Sequence, residues 1–160
     1  MKPLLILILV MLTLAGCSDH TALRVGEPVA PFRLTDLQGK EFDTGATRGK
    51  TTVIYFWNDQ CGCVEQLMDL RNFIAGRKDK PFEFVTVNVG QKKSVVEGFV
   101  AGNKIPYTIL LDPNLAVTEK LFAVKVLPTI FVINGDGILK EKLLGVIASK
   151  KLEAIITRYL

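Results

Sequence analysis

The chain divides into blocks in which apolar residues recur with a period of either two or nearly four, the repeats of strands and helices. Thr51 to Trp57 is a near-continuous apolar run, as expected for a strand buried on both faces of a sheet. Val64, Leu67, Met68, Arg71, Ile74 and Ala75 then recur at helical spacing, with Gly76 placed to stop that helix. Phe82 to Val89 alternates like a strand and ends at Gly90; Ser94 and Glu97 have the spacing of a capping box, predicting a helix to about Gly102. Tyr107 to Leu111 is a third central strand, after which Asp112-Pro113 predicts an N-cap and first-turn proline for a helix reaching Leu121. Thr129 to Ile133, the turn Asn134-Gly135-Asp136-Gly137 and Ile138 to Leu144 predict a hairpin. A last helix from near Ser149 carries Leu152, Ile155, Ile156 and Tyr159 on one face. Earlier in the chain, Phe32-Arg33-Leu34, the turn Leu37 to Lys40 and Glu41-Phe42 suggest a small hairpin. Together these elements describe an α/β domain with a mixed central sheet flanked by helices and an N-terminal β-hairpin extension.

The first 25 residues do not fit that pattern. Lys2, the apolar run Leu4 to Leu12 and the small residues before Cys17 read as a targeting segment, too short for the ~20 residues that a membrane helix needs. Leu14-Ala15-Gly16-Cys17 resembles the lipobox of bacterial lipoproteins, which implies removal of residues 1–16, acylation of Cys17 and a tether over 17–25 before a domain spanning 26–160. Ser18 after the cysteine would favour the outer membrane of a Gram-negative cell. Loss of the first 16 of 160 residues leaves 144, ample for one domain with a proper core. The formal charge of +4 falls to +3 without Lys2, and its dispersed lysines argue against nucleic-acid binding.

With Cys17 assigned to lipid, Cys61 and Cys63 are the remaining cysteines, an isolated pair in a disulfide-permissive compartment. They sit directly between the apolar strand and the following helix, where backbone N–H groups favour a thiolate. Cys61 is therefore expected to attack a partner's disulfide and Cys63 to resolve the mixed disulfide. Side chains two apart on a helix diverge, so closing the pair calls on Gly62, which lacks a Cβ and reaches dihedrals that other residues avoid. So small a ring should be strained, and strain makes a disulfide easier to reduce. Other readings stay open at this point. Cys61 could be a lone reactive thiol with Cys63 packed as a small hydrophobe, or both thiolates could hold a soft ion such as Cu(I), with His20 the single histidine and far off in the tether.

Longer segments carry a resemblance. Val25 to Phe32 with Asp36-Leu37-Gln38-Gly39-Lys40, Tyr55-Phe56-Trp57 before the cysteines, Leu110-Leu111-Asp112-Pro113, and Val126-Leu127-Pro128-Thr129 leading into Phe131 to Gly137 are similar in order and spacing to the thioredoxin superfamily. The chain resembles, in particular, its membrane-anchored TlpA/ResA-type thiol–disulfide reductases, over essentially all of residues 26–160. The resemblance implies a thioredoxin-like fold and exchange of disulfides through Cys61 and Cys63, without a bound cofactor or metal. It also implies a cis proline at Pro128, and Trp57, Leu127, Pro128 and Thr129 as the substrate-binding residues. The partners implied are protein thiols and disulfides of the cell envelope together with an envelope redox protein.

The chain departs from that family at three places. The family motif has two residues between its cysteines and this chain has one; the tryptophan often found before the first cysteine is Gln60, and the acidic residue two before Trp57 is Tyr55. A glutamate that assists proton transfer in some relatives corresponds to Gln91, whose neutral amide cannot act as a general base. The opening segment and strand also resemble peroxiredoxins, but Trp57-Asn58-Asp59-Gln60 lacks their proline and hydroxyl residue, and Asp59 near Cys61 discourages a thiolate. A further alternative is a non-catalytic binding module that holds a partner along the Leu127-Pro128 edge.

Overall fold

The computed structural model describes residues 23–160. The expected targeting segment and Cys17 lie outside the described residues. Among the described residues seven strands form one mixed sheet: β1 (Arg33–Asp36), β2 (Glu41–Asp43), β3 (Thr51–Trp57), β4 (Phe82–Val89), β5 (Thr108–Asp112), β6 (Thr129–Ile133) and β7 (Leu139–Leu144). Their spatial order is β2-β1-β5-β4-β3-β6-β7. The central strands β3, β4 and β5 are parallel, β6 runs antiparallel to β3, and the hairpins β1–β2 and β6–β7 close the two edges. The α-helices that flank the sheet are α1 (Val64–Asp69), α2 (Arg71–Ala75), α3 (Lys93–Asn103) and α4 (Ser149–Thr157).

The unbroken apolar run of β3 follows from its place in the sheet, because both of its faces are covered and all seven residues are buried. Val53, Tyr55 and Trp57 pack with Leu67, Leu70, Phe73, Leu152 and Ile156 of the helices. Ile54 and Phe56 point into a second cluster with Phe32, Val85, Val87, Phe122 and Phe131. Leu23, inside the expected tether, already packs against this second cluster, and Gly26 N–H bonds to the Leu139 carbonyl.

Three helix predictions are corrected. The helix after the cysteines is broken at Leu70, where α1 ends and α2 begins, although Gly76 caps α2 as expected. The capping box does not form: α3 starts at Lys93 with Lys92 as N-cap, and Glu97 pairs instead with Lys93 at 3.6 Å, one turn back. Asp112 does hold the start of the next segment, but that segment, Ala116–Leu121, is a π-helix with Leu115, not Asp112, at its N-cap, so Pro113 lies outside it. The Asp112 carboxylate reaches it by accepting from the N–H groups of Ala116, Val117 and Thr118 and from the Thr118 hydroxyl, pulling the chain into a wide turn.

Candidate active site

β3 delivers the chain to the end of the sheet where the parallel strands finish, and the six residues after Trp57 build the site. Asn58 organises this turn: its side-chain oxygen accepts from Gln60 N–H at 3.1 Å, and its carbonyl accepts from Cys61 N–H at 3.4 Å. The Cys61 sulfur lies 3.0 Å from the same carbonyl. Gly62 has φ +63°, a left-handed conformation in which a side chain would be strained although nothing lies within 4 Å of where a Cβ would stand. That conformation brings the neighbouring cysteines round to each other, and Cys61 and Cys63 are disulfide-bonded with their Cα atoms 5.2 Å apart, inside the ordinary range for a bridge. The two cysteines differ in access: Cys61 is half-buried and Cys63 wholly buried.

The expected placement of Cys61 at the helix N-terminus is corrected by two residues. Cys63 is the N-cap of α1, and Cys61 stands in the turn before it. The reason is Gly62, whose positive φ cannot continue a helix.

Leu127–Pro128 is a cis peptide, as the resemblance implies. The register that sets Phe56 opposite Thr129 leaves Pro128 at the end of β6 adjoining the exit of β3. Leu127 is half-buried and Pro128 buried, while Val126 and Val146 on the flanking turns and Leu144 at the end of β7 are exposed apolar residues. Gly145 N–H bonds to the Pro128 carbonyl at 2.8 Å, which fastens the two turns together. Trp57 and Thr129, the other two residues assigned to substrate binding, are both 0 % exposed. Trp57 packs on Phe99 with ring centroids 5.4 Å apart, and the Thr129 hydroxyl donates to the Val126 carbonyl at 2.6 Å. In this conformation they support the site from beneath, because the last residue of β3 and the first of β6 are still covered by the helices and the sheet.

Two side-chain networks border the dithiol. Beneath α1, the Tyr55 hydroxyl donates to Gln66 Oε1 at 2.7 Å, and Gln66 Nε2 donates to the Ile147 carbonyl. Burial pushes the Tyr55 phenol well above its ordinary range. Tyr107, whose hydroxyl donates to the Leu67 carbonyl at 2.7 Å, is pushed up to about 12 by burial, opposed by the charge of Arg71. On the opposite side, Gln91 takes hold of Asp59. Gln91 Oε1 accepts from the Asp59 backbone N–H at 3.2 Å and from Asn88 Nδ2 at 2.9 Å, while its Nε2 donates to Asp59 Oδ1 at 2.7 Å. Gln66 and Asn88 carry no signal in the sequence, being isolated amides in apolar segments; both are buried.

A closed dithiol in the turn between a buried strand and a helix, beside a cis proline that leads into the neighbouring strand, defines a thioredoxin-fold disulfide oxidoreductase. The chain belongs to the Redoxin family, whose model matches residues 24–156. It is similar to the thiol-disulfide oxidoreductase ResA of Geobacillus kaustophilus, 31% identical over 137 residues that cover 85% of this chain and 78% of that protein. ResA of Bacillus subtilis is 29% identical over 136 residues, covering 84% and 73%. Among solved structures, StoA of Bacillus subtilis superposes with a TM-score of 0.68 at 26% identity, covering 81% of this chain and 97% of that one. A Chlorobium tepidum protein designated thiol:disulfide interchange protein DsbE gives 0.78 at 27%, covering 86% and 99%.

Proposed function

We propose that the protein exchanges disulfides with other proteins of the cell envelope, with Cys61 as the attacking and Cys63 as the resolving cysteine. The observation that carries this reading is the unequal access of a bonded pair: the half-buried Cys61 sulfur can be approached, and the buried Cys63 sulfur only from within. In the reducing direction the Cys61 thiolate attacks one sulfur of a substrate disulfide, and the other substrate sulfur leaves as a thiolate and takes up a proton. Cys63, as thiolate, then attacks Cys61 Sγ; the Cys61–Cys63 bond forms and the second substrate thiol departs, two electrons having passed to the substrate. The reverse sequence oxidises a dithiol with the same atoms. The backbone of Leu127, set by the buried cis Pro128 that follows it, would receive the substrate as an extended segment, and the exposed side chains of Val126, Leu144 and Val146 suit apolar residues beside its cysteine.

The lipobox resemblance of Leu14 to Cys17 supports an extracytoplasmic protein held by lipid on Cys17, with residues 1–16 removed and 17–25 as a tether. Among the described residues no helix is long and apolar enough to cross a membrane. Cys17→Ser should move the protein from the membrane fraction to the soluble one.

An insulin-reduction assay tests the chemistry. Cys61→Ser should abolish turnover, and Cys63→Ser should accumulate mixed disulfides visible on non-reducing gels. A double serine variant as active as the wild type would end the enzymatic reading.

A further inference from the structure

A chain of contacts runs from the core to the attacking cysteine, and Gln91 is its middle link. Asn88 is 1 % exposed and directly pairs with Trp57 across β3 and β4, so its position is fixed by the sheet. Its Nδ2 holds Gln91 Oε1, and the same oxygen accepts the Asp59 N–H while Gln91 Nε2 donates to the Asp59 carboxylate. One carboxamide thus grips both the backbone and the side chain of Asp59. Only a group that donates and accepts at once can do this: a carboxylate at 91 would confront that of Asp59, and an apolar side chain would leave both unheld. Asp59 lies between Asn58, whose carbonyl meets the Cys61 N–H and sulfur, and Cys61 itself.

We infer that Gln91 is a positioning residue for disulfide exchange, clamping Asp59 so that the Asn58–Cys61 turn is held in the conformation that brings Cys61 onto Cys63. This role presupposes the reading of Cys61 and Cys63 as the working dithiol. A restraint shifts an equilibrium only as far as it favours one state over the other. With the bond closed, the turn is already fixed and the clamp costs little further entropy. With the bond open, Cys61 is released from one restraint, and the clamp then removes freedom that the reduced turn would otherwise gain. The clamp therefore favours the closed pair, and opening it eases reduction.

The test equilibrates the full chain with reduced and oxidised glutathione, then alkylates it and weighs the peptide that carries both Cys61 and Cys63. In that reaction the Cys61–Cys63 bond breaks, two glutathione thiols give up two electrons and their protons, and one glutathione disulfide forms. Gln91→Leu should raise the equilibrium constant for reduction about tenfold, equivalent to about 30 mV for this two-electron couple. Gln91→Glu should raise it at least as much near neutral pH. The exchanged pair, Gln91→Glu with Asp59→Asn, restores a donor facing an acceptor: the new amide at position 59 can donate to the new carboxylate, which still accepts from Asn88 and the residue 59 N–H. It should return to within about twofold of wild type, a coupling that a general loss of packing would not produce. Thermal unfolding of each oxidised variant identifies any that fails to fold, and the comparison of Gln91→Glu with the exchanged pair then decides alone. Wild-type values in both single variants, or an exchanged pair no closer to wild type than Gln91→Glu, would overturn the clamp. A wild-type pair that never equilibrates with glutathione would instead remove the dithiol reading itself.

Discussion

The two networks bordering the dithiol use the same chemical group, a glutamine carboxamide, to opposite ends. Gln66 points inward from α1, is buried, and joins the neutral Tyr55 hydroxyl to the Ile147 carbonyl. Gln91 sits at the rim, half-buried, and its partner is a carboxylate on the turn that carries Cys61. A buried, uncharged network is expensive to break and holds the fold; a half-exposed, charged one is cheap to break and acts on the reactive sulfur. The difference separates stability from reactivity within one site, and substitutions on either side should show it.

The largest effect belongs to the buried network. Gln66→Leu removes the acceptor of the Tyr55 hydroxyl and the donor to Ile147, and it should lower unfolding free energy by about 2–3 kcal/mol, the cost of leaving buried polar groups unpaired. Adding Tyr55→Phe should recover part of that loss, because the stranded hydroxyl is then gone. Denaturant unfolding of the two variants checks this. A double variant less stable than Gln66→Leu would contradict the assignment of Tyr55 and Gln66 to one network.

The same burial sets a pH response. Tyr55 and Tyr107 hold their protons more tightly in the folded chain than the ordinary value of about 10, so between that pH and the folded values the folded state binds more protons than the unfolded one. Their contribution to stability is therefore complete below about pH 10 and falls as pH rises toward about 12, where Tyr107 ionises. Unfolding measured between about pH 8 and 12 should show this decline, and Tyr55→Phe should make it shallower, leaving the part that Tyr107 contributes. No comparable alkaline slope is expected from the Gln91 network, whose members Asn88, Gln91 and Asp59 include no phenol.

Gly62 stands between the two networks. Its φ of +63° is strained for a side chain while the space around it is open, so Gly62→Ala should cost about 1–2 kcal/mol through the backbone alone. Thermal unfolding of the oxidised variant would show the loss. An unchanged midpoint would mean that the turn relaxes without it.

Much of this architecture is legible in the sequence because burial leaves a pattern. β3, β4 and β6 match the predicted runs residue for residue, since every position of β3 and β6 and six of the eight of β4 are buried, so that apolar and β-branched residues mark their extent. Helix starts are less legible. Ser94 and Glu97 have capping-box spacing, yet α3, which buries Val96, takes Lys92 as its N-cap, two residues before Ser94. The wide turn after β5 is hidden because Asp112 looks the same whether it caps an α-helix or gathers three N–H groups of a π-helix. At the site, the cysteines and Gly62 are readable from local spacing, and Pro128 from the resemblance. The burial of Trp57 follows from the apolar run that it ends, but the full burial of Thr129 is not legible, because a threonine that opens a strand looks the same whether it is covered or exposed. The Asp59–Gln91 contact joins residues 32 positions apart in sequence, and neither residue alone announces the other.

The smallest effect, and the one that isolates charge from tethering, is Asp59→Asn. The amide oxygen introduced there can still accept from Gln91 Nε2, and the backbone N–H of residue 59 still meets Gln91 Oε1, so the clamp persists while one negative charge two residues from Cys61 is lost. A carboxylate so close opposes a thiolate, and at a half-exposed position that repulsion is screened to about 0.5–1 kcal/mol. Alkylation of Cys61 in the reduced protein by iodoacetamide near neutral pH should therefore run about two- to fivefold faster in Asp59→Asn than in wild type, because the thiolate is the reacting form. The advantage should shrink as salt is added, whereas a change caused by loosening the turn would not respond to salt. Equal or slower alkylation at low salt would show that the Asp59 charge does not reach Cys61, and the contrast between the two networks would then be one of burial alone.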